Sequence, residues 1–230
     1  APEPQTARAT STALSKATTV PAKATAVPLA DAILFEDDFS SQQDSSDKGW
    51  SFDTGDSVDR TWAANKYILT IKKDKWIGYS WPDERFDNFG VEVEAQPTTG
   101  DYAEYGIMFR MIGSSSSDRG FYYFGITTDG KYFLQKKVDG QWADTDPVKT
   151  TASSSVKTGP AKNVLRVLAR ETQISLLVNG KLLTTIEDDS ISDGEVGVCA
   201  GTGANTSAVV AFSRVTVYAA DQAAEAWGVK

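Results

Sequence analysis

From residue 32 onward, hydrophobic and polar positions alternate in short runs that are separated by Gly, Asp, Asn and Pro. Alternation with a period of two over four to eight residues is typical of a β-strand with one buried face. Many such strands at close spacing predict a sandwich or a barrel. Helical periodicity is nearly absent. The predicted strands are 33–39, 61–64, 67–72, 76–81, 89–96, 105–112, 121–127, 131–138, 163–169, 173–178, 181–187, 195–200 and 208–218. We therefore expect an all-β fold, a two-sheet antiparallel β-sandwich.

Three dipeptides predict tight hairpins between these strands: Asp129-Gly130, Asp139-Gly140 and Asn179-Gly180. The favoured two-residue hairpin turns need positive φ angles, which Asn, Asp and Gly adopt at low cost. The polar stretches 113–118 and 144–159 are interpreted as exposed connections, and so is the acidic run 187–190.

Residues 1–31 have a different composition, rich in Ala, Thr, Ser and Pro and without an aromatic residue. Such a segment cannot bury enough apolar surface to offset its ordering entropy, which predicts a disordered linker. The β-sandwich domain then covers 32–218, and 219–230 is a short tail that either forms a helix with Trp227 docked on the domain or leads into another domain. Tethers of this kind join exported domains to a signal peptide or membrane anchor. We expect an extracellular or cell-surface domain, lipid-anchored through the linker or periplasmic. A cytoplasmic interdomain linker is the alternative.

Composition narrows the chemistry further. The chain has no histidine and one cysteine, which excludes Ser-His-Asp and Cys-His catalysis, Cys/His zinc sites and an intrachain disulfide. Cys199 is interpreted as a buried packing residue. The formal net charge of -8 argues against nucleic acid as a partner, since phosphate binding depends on clustered Lys and Arg. No apolar run reaches the ~20 residues that a transmembrane helix needs.

A series of landmarks runs through the predicted strands: Asp37-Asp38-Phe39, Trp50, and the segments 89–94 (FGVEVE), 105–110 (YGIMFR), 121–124 (FYYF), 178–181 (VNGK), 194–197 (GEVG) and 212–217 (FSRVTV). Their order resembles the concanavalin A-like lectin/glucanase superfamily, and more narrowly the laminin-G-like and 3-keto-disaccharide-hydrolase-like jelly rolls of bacterial surface proteins. The resemblance covers about residues 33–218. It implies two stacked, curved sheets, with the concave face of one sheet forming a groove for sugars or peptides. The architecture hosts lectins, glycosidases, sensor ectodomains and adhesion modules, so it does not define an activity.

Strand alternation then predicts which side chains face that groove. If Val91 and Val93 point into the core, their neighbours on the strand point outward, and the same argument applies to the three strands that follow. The predicted ligand-binding residues are Glu92, Glu94, Arg110, Tyr123 and Gln135, together with Trp142, which follows a tight turn and is the Trp expected to be exposed.

Together these side chains offer the acceptors, donors and aromatic face that a sugar requires. The guanidinium fork of Arg110 suits a carboxylate or vicinal hydroxyls. The alternative for Arg110 is a cross-strand ion pair with Glu92 or Glu94, and the alternative for each Trp is simple packing in the core.

Two further hypotheses concern carboxylates. Glycosidases of this superfamily use alternating strand carboxylates, so Glu92 and Glu94 are the candidate acid and nucleophile. The expected third acidic residue is missing, because Gln96 and Pro97 follow the pair. Asp37 and Asp38 are candidate ligands of a structural Ca²⁺, against the alternative of two solvated or capping carboxylates.

The sequence thus favours a non-catalytic carbohydrate-binding or adhesion module of an exported bacterial protein, with a glycan or surface polysaccharide held on the concave sheet. A glycoside hydrolase of the glucanase or keto-disaccharide hydrolase type is one alternative. A protein-interaction sensor ectodomain is another, for which an apolar groove would be the distinguishing feature.

Overall fold

The structure, a computed structural model, describes residues 28–98, 102–113, 115, 117–204 and 206–230. The first 27 residues of the predicted linker lie outside this part of the chain. The described residues form two stacked antiparallel sheets, which confirms the predicted β-sandwich. Among them, no helix combines the length and the apolar character needed to span a membrane.

The described elements begin with a 3₁₀ helix at Leu29–Ala32, and the remaining elements are labelled in chain order. The strands are β1 (Ile33–Asp37), β2 (Asp53–Thr54), β3 (Val58–Trp62), β4 (Tyr67–Ile71), β5 (Ile77–Ser80), β6 (Arg85–Phe86), β7 (Phe89–Pro97), β8 (Ala103–Ile112), β9 (Gly120–Thr127), β10 (Lys131–Val138), β11 (Gln141–Trp142), β12 (Val148–Ala152), β13 (Asn163–Arg170), β14 (Gln173–Val178), β15 (Lys181–Glu187), β16 (Gly194–Thr202) and β17 (Ala208–Ala219). The helices are α1 (Gln42–Asp47) and α2 (Ala220–Trp227).

The two sheets are called sheet A and sheet B here. Sheet A has the order β15-β14-β13-β7-β17-β4-β3-β2, with β1 also paired to β17. Sheet B has the order β11-β10-β9-β8-β16-β5, with β12 on β10 and β6 on β16. Neighbours in each sheet are far apart in sequence, as in β7 beside β17 and β8 beside β16, which is the crossover pattern of a jelly roll.

The core lies between the sheets and is built by strand alternation. Val91 and Val93 of sheet A face Ile107, Phe124 and Leu134 of sheet B, and all five are fully buried. These are the inward positions that the sequence pattern predicts.

The tight turns follow the predicted chemistry at two of three sites. Asn179 and Gly180 have φ angles of 50° and 76°, the left-handed pair that a two-residue hairpin requires. Asp139 and Gly140 have φ angles of 48° and 74° and form the same kind of turn. The third site differs, because residues 128–130 form a three-residue connection in which Gly130 alone has positive φ. The stretch 144–159 was expected to be a loop, but it contains strand β12, which pairs with β10.

The tail 219–230 contains helix α2, which packs on the outer face of sheet A. Ala223 is fully buried and lies over Gly90 of β7. The Trp227 ring lies 6.1 Å from the ring of Tyr218, in an edge-to-face arrangement, and 5.0 Å from the guanidinium of Arg166. The helix therefore covers part of that face.

Candidate functional site

Several side chains on the outer face of sheet B are buried, although they point away from the core between the sheets. Strand pairing sets its side chains side by side, since Tyr79 is opposite Cys199, and Met108 is opposite Tyr123. Met108, Tyr123 and Cys199 have zero exposure. Outward side chains are buried in this way when a sheet curls and they cover one another. We call this surface the concave face; it comprises Ile77, Tyr79, Trp81, Met108, Met111, Phe121, Tyr123, Phe133 and Cys199.

The floor of the concave face is closed by its own side chains. The Phe133 ring lies against the bare backbone of Gly125, where any Cβ would collide with it. The same ring contacts Tyr123 edge to face, with 5.0 Å between centroids. Burial raises the pKa of Tyr123 well above its usual value, with smaller contributions from Cys199 and Glu104. Tyr123 thus points away from the core between the sheets, but it is fully buried and packs against Phe133.

At one end of the concave face, Tyr79 and Trp81 are half-buried and Trp142 is exposed, with the buried Phe121 beside them. The rings of Tyr79 and Trp81 are stacked, with centroids 5.5 Å apart. The Arg119 guanidinium carbon lies 5.4 Å from the Trp81 ring centroid, and Arg119 Nη1 donates to the Tyr79 hydroxyl at 2.8 Å. Phe121 meets Trp142 edge to face at 5.4 Å. We call Tyr79, Trp81, Arg119, Phe121 and Trp142 the aromatic rim.

Strand β10 carries polar side chains next to this rim. Gln135 is opposite Tyr123, and Lys137 is opposite both Phe121 and Trp142. Both polar side chains are half-buried. Trp142 is 47% exposed, which makes it an available face for a ligand. The structure therefore brings Tyr123, Gln135 and Trp142, three of the six predicted binding residues, to the same side of sheet B, but it buries Tyr123 where no ligand can contact it.

A residue that the sequence analysis missed lies towards the other end of the same face. Glu104 is opposite Gly201 on β16 and Thr127 on β9. Burial raises the pKa of Glu104 to about 7. Strand alternation could have identified this residue, because Glu104 and Met108 are an even number of positions apart on β8 and so face the same side of the sheet.

The placement of Glu92 and Glu94 on this surface is wrong. Both lie on β7, which belongs to sheet A, so they face outward on the opposite side of the sandwich. Glu92 pairs with Arg166 across the strands, and Glu94 pairs with Lys162 at 2.7 Å. The hydrogen bond from Lys162, with a second from Ser213, lowers the pKa of Glu94. An ionised carboxylate suits the nucleophile role proposed for Glu94, but Lys162 and Ser213 already occupy this carboxylate on the outer face of sheet A.

The expectation that Arg110 points into a groove is also wrong. A bulge interrupts the pairing of β8 with β9 between Phe109 and Ile112, and Arg110 there has a φ of 50°. Its side chain is fully buried and donates to the carbonyl oxygens of Glu171 at 2.7 Å, Ile191 at 3.0 Å and Asp87 at 3.3 Å. It makes no ion pair with Glu92 or Glu94. Desolvation lowers the pKa of the guanidinium. Arg110 therefore joins three loops at one end of the sandwich.

The candidate metal ligands Asp37 and Asp38 are engaged in local hydrogen bonds. Asp37 is 2% exposed, and its Oδ1 accepts from the Phe39 amide at 2.8 Å and the Ser45 hydroxyl at 3.1 Å. Asp38 accepts from the Ser40 amide at 3.0 Å, and its hydrogen bonds with Ser40 lower its pKa. Nowhere in the described ranges do three or more Asp, Glu, Cys or His side chains cluster as a metal site would need. A structural Ca²⁺ at Asp37 and Asp38 stays a prediction, and the alternative is that these carboxylates only cap local backbone amides.

Comparison with known proteins supports the fold. No protein-family model matches the sequence, and no curated protein sequence matches it. Among solved structures, carbohydrate-binding module CBM66 from Bacillus subtilis is 17% identical, with a TM-score of 0.54 over 74% of this chain and 96% of that one. A Bacillus subtilis protein with a galectin-like fold is 13% identical, with a TM-score of 0.63 over 82% and 96% of the two chains. The Bacillus licheniformis β-glucanase is also 13% identical, with a TM-score of 0.54 over 80% and 97%. The chain has the concanavalin A-like jelly-roll fold.

Proposed function

We propose that this domain is a non-catalytic carbohydrate-binding or adhesion module of an exported bacterial protein, and that it holds its glycan on the aromatic rim. The observation that carries the proposal is the geometry of the rim. Exposed aromatic rings pack against the apolar C–H face of a sugar, while nearby donors and acceptors bind its hydroxyls. Trp142 and Trp81 supply such rings, and Gln135 supplies both a donor and an acceptor.

Two features support binding over hydrolysis. The floor of the concave face is filled by Phe133 and Tyr123, which leaves a sugar chain to lie along the rim instead of entering a deep cleft. The candidate catalytic pair Glu92 and Glu94 is held in ion pairs on the other sheet. The similar solved structures include both a binding module and a glucanase, so the fold by itself favours neither function.

A glycan array probed with the purified domain tests this proposal, run with Ca²⁺ and repeated with EDTA. We expect selective binding to a restricted set of glycans, and we expect Gln135→Ala to weaken it. A matched control is Gln173→Ala, which changes a half-buried Gln on a strand of sheet A. An array on which the parent protein binds nothing, or on which both variants behave as the parent, contradicts the site. Loss of binding with EDTA would add a metal to it.

The same preparations test for hydrolysis. Incubation of each bound glycan with the parent protein should leave it intact on a carbohydrate gel. Released product that Glu94→Gln abolishes would establish the glycoside-hydrolase alternative instead.

A further inference from the structure

A small cavity lies next to the aromatic rim, where the two sheets meet at one edge. It is lined by Ser51, by Arg60 of β3, by Tyr79 and Ser80 of β5, and by Trp81 and Asp83 just beyond β5, and we call it the Trp81 pocket. Its volume of about 250 Å³ equals the space of about eight water molecules. This is room for one sugar ring and not for a chain.

The pocket combines the groups that a sugar ring needs. The Arg60 guanidinium is fixed in place, since Nε donates to the Tyr79 carbonyl at 3.0 Å and Nη1 donates to both Asp53 oxygens at 2.9 and 3.0 Å. Those bonds use Nε and Nη1, so the Nη2 hydrogens remain as donors for a ligand. Asp83, which is exposed, supplies a carboxylate acceptor, and the half-buried Trp81 adds apolar surface to the lining.

The charges around the pocket select against acidic sugars. Asp53 already neutralises Arg60, and Asp83 adds a further negative charge. The whole chain carries a formal charge of -8, which also disfavours anions. A neutral ring with adjacent hydroxyls satisfies both Asp83 and Arg60, because a hydroxyl can donate to the first and accept from the second.

The pocket and the aromatic rim share Tyr79 and Trp81. The stacked Tyr79 and Trp81 rings face Arg119 on the rim, while the same two residues line the pocket. A glycan lying along the rim towards Trp142 can therefore place one unit, at its end or on a branch, into the pocket.

Building on the proposed function, we infer that the Trp81 pocket is a subsite for a single neutral sugar unit of the glycan bound at the rim. The subsite gives the domain selectivity for neutral over uronic-acid sugars at that position.

The test uses saturation-transfer NMR of the full chain with glucose, galactose, mannose, fructose, N-acetylglucosamine and glucuronate as separate probes. We expect at least one neutral sugar to show contact and glucuronate to show none. Ser51→Phe, which fills the pocket from an exposed position, should abolish the contact. Asp83→Asn should weaken it about tenfold or more. Glu84→Gln is the control, because Glu84 is exposed beside Asp83 and does not line the pocket. Circular dichroism verifies that each variant is folded.

Three outcomes overturn the inference: no contact with any neutral sugar, contact with glucuronate that equals or exceeds contact with the neutral sugars, or equal binding by Ser51→Phe and the parent. If Ser51→Phe binds oligosaccharides and monosaccharides as the parent does, the subsite is refuted while binding at the rim stands. If the parent binds no oligosaccharide either, the proposed function fails as well.

Discussion

The outer faces of the two sheets follow the same alternating sequence pattern, but they differ in how their outward side chains are packed. On sheet A, the outward carboxylates Glu92 and Glu94 pair with Arg166 and Lys162, and helix α2 covers part of the surface. On sheet B, the outward side chains are largely aromatic or sulfur-containing, and curvature buries them against one another. On the outer face of sheet A, charged side chains neutralise one another in ion pairs. On the outer face of sheet B, apolar side chains pack together into a second core with an accessible rim. The second arrangement is the one suited to holding a ligand.

The largest effect should come from emptying the floor of the concave face. Phe133→Ala removes a ring that is 4% exposed and lies against Gly125 and Tyr123. We expect a loss of about 3–5 kcal/mol in the free energy of unfolding, as for a ring in an ordinary core. Leu182→Ala is the control, since Leu182 is 52% exposed on strand β15 of sheet A, and it should cost less than about 0.5 kcal/mol. Urea denaturation measures both. Equal small losses would mean that the concave face is not a second core.

The next effect concerns the half-buried carboxyl of Glu104 on the same face. Because burial raises the pKa of Glu104 from 4.5 to about 7 in the folded protein, the folded state holds this proton more tightly than the unfolded state. The contribution of Glu104 to the free energy of unfolding is therefore greatest below about pH 4.5, and it is lost as the pH rises through about 7.

Glu104→Gln removes that dependence. We expect the variant to match the parent near pH 4 and to be more stable at pH 8 by on the order of 3 kcal/mol. Melting curves of both proteins across pH 4 to 8 give the comparison. A difference that stays constant over this range would show that Glu104 titrates normally.

The smallest effect belongs to the ion pairs of sheet A. Lys162 is 53% exposed and Glu94 is 25% exposed, so their bond is screened by solvent. Glu94→Gln should cost at most about 1 kcal/mol, and less at high salt. It should leave glycan binding unchanged on the array. Loss of binding by this variant would move the site to the opposite sheet.

Much of the fold could be predicted from the sequence, because alternation and turn chemistry are local. Val91, Ile107 and Phe124 face inward as the period of two predicts, and Asn179-Gly180 forms the expected turn. The pattern also places Tyr123 on the outer face. It does not contain the curl of the sheet, which depends on contacts among distant strands and leaves Tyr123 fully buried.

The binding site was predicted only in part, for two physical reasons. Alternation tells which face of a strand is outward, but not which sheet the strand joins, so Glu92 on β7 and Tyr123 on β9 were assigned to one surface. At Arg110 the alternation itself fails, because the bulge places one extra residue on β8 and reverses the direction of the side chain.

The acidic run 187–190 shows the same limit. It was expected to be an exposed turn, but Asp188 accepts from the Tyr122 hydroxyl and from Lys136 Nζ, both at 2.7 Å. Burial acts to raise the pKa of Asp188, yet these hydrogen bonds outweigh it and lower the pKa to about 2. The partners lie on β9 and β10, more than fifty positions away along the chain, where a local pattern does not reach.

The central claim, that the aromatic rim holds the glycan, is tested most directly by two tryptophans of similar exposure. Trp142 is 47% exposed on the rim, and Trp76 is 41% exposed beside Lys73, outside it. Isothermal titration with the glycan selected on the array measures Kd for Trp142→Ala and Trp76→Ala. We predict that Trp142→Ala raises Kd tenfold or more, which corresponds to about 1.4 kcal/mol or more, while Trp76→Ala leaves it unchanged. Equal affinities for Trp142→Ala and the parent, or a greater loss in Trp76→Ala, would contradict the account.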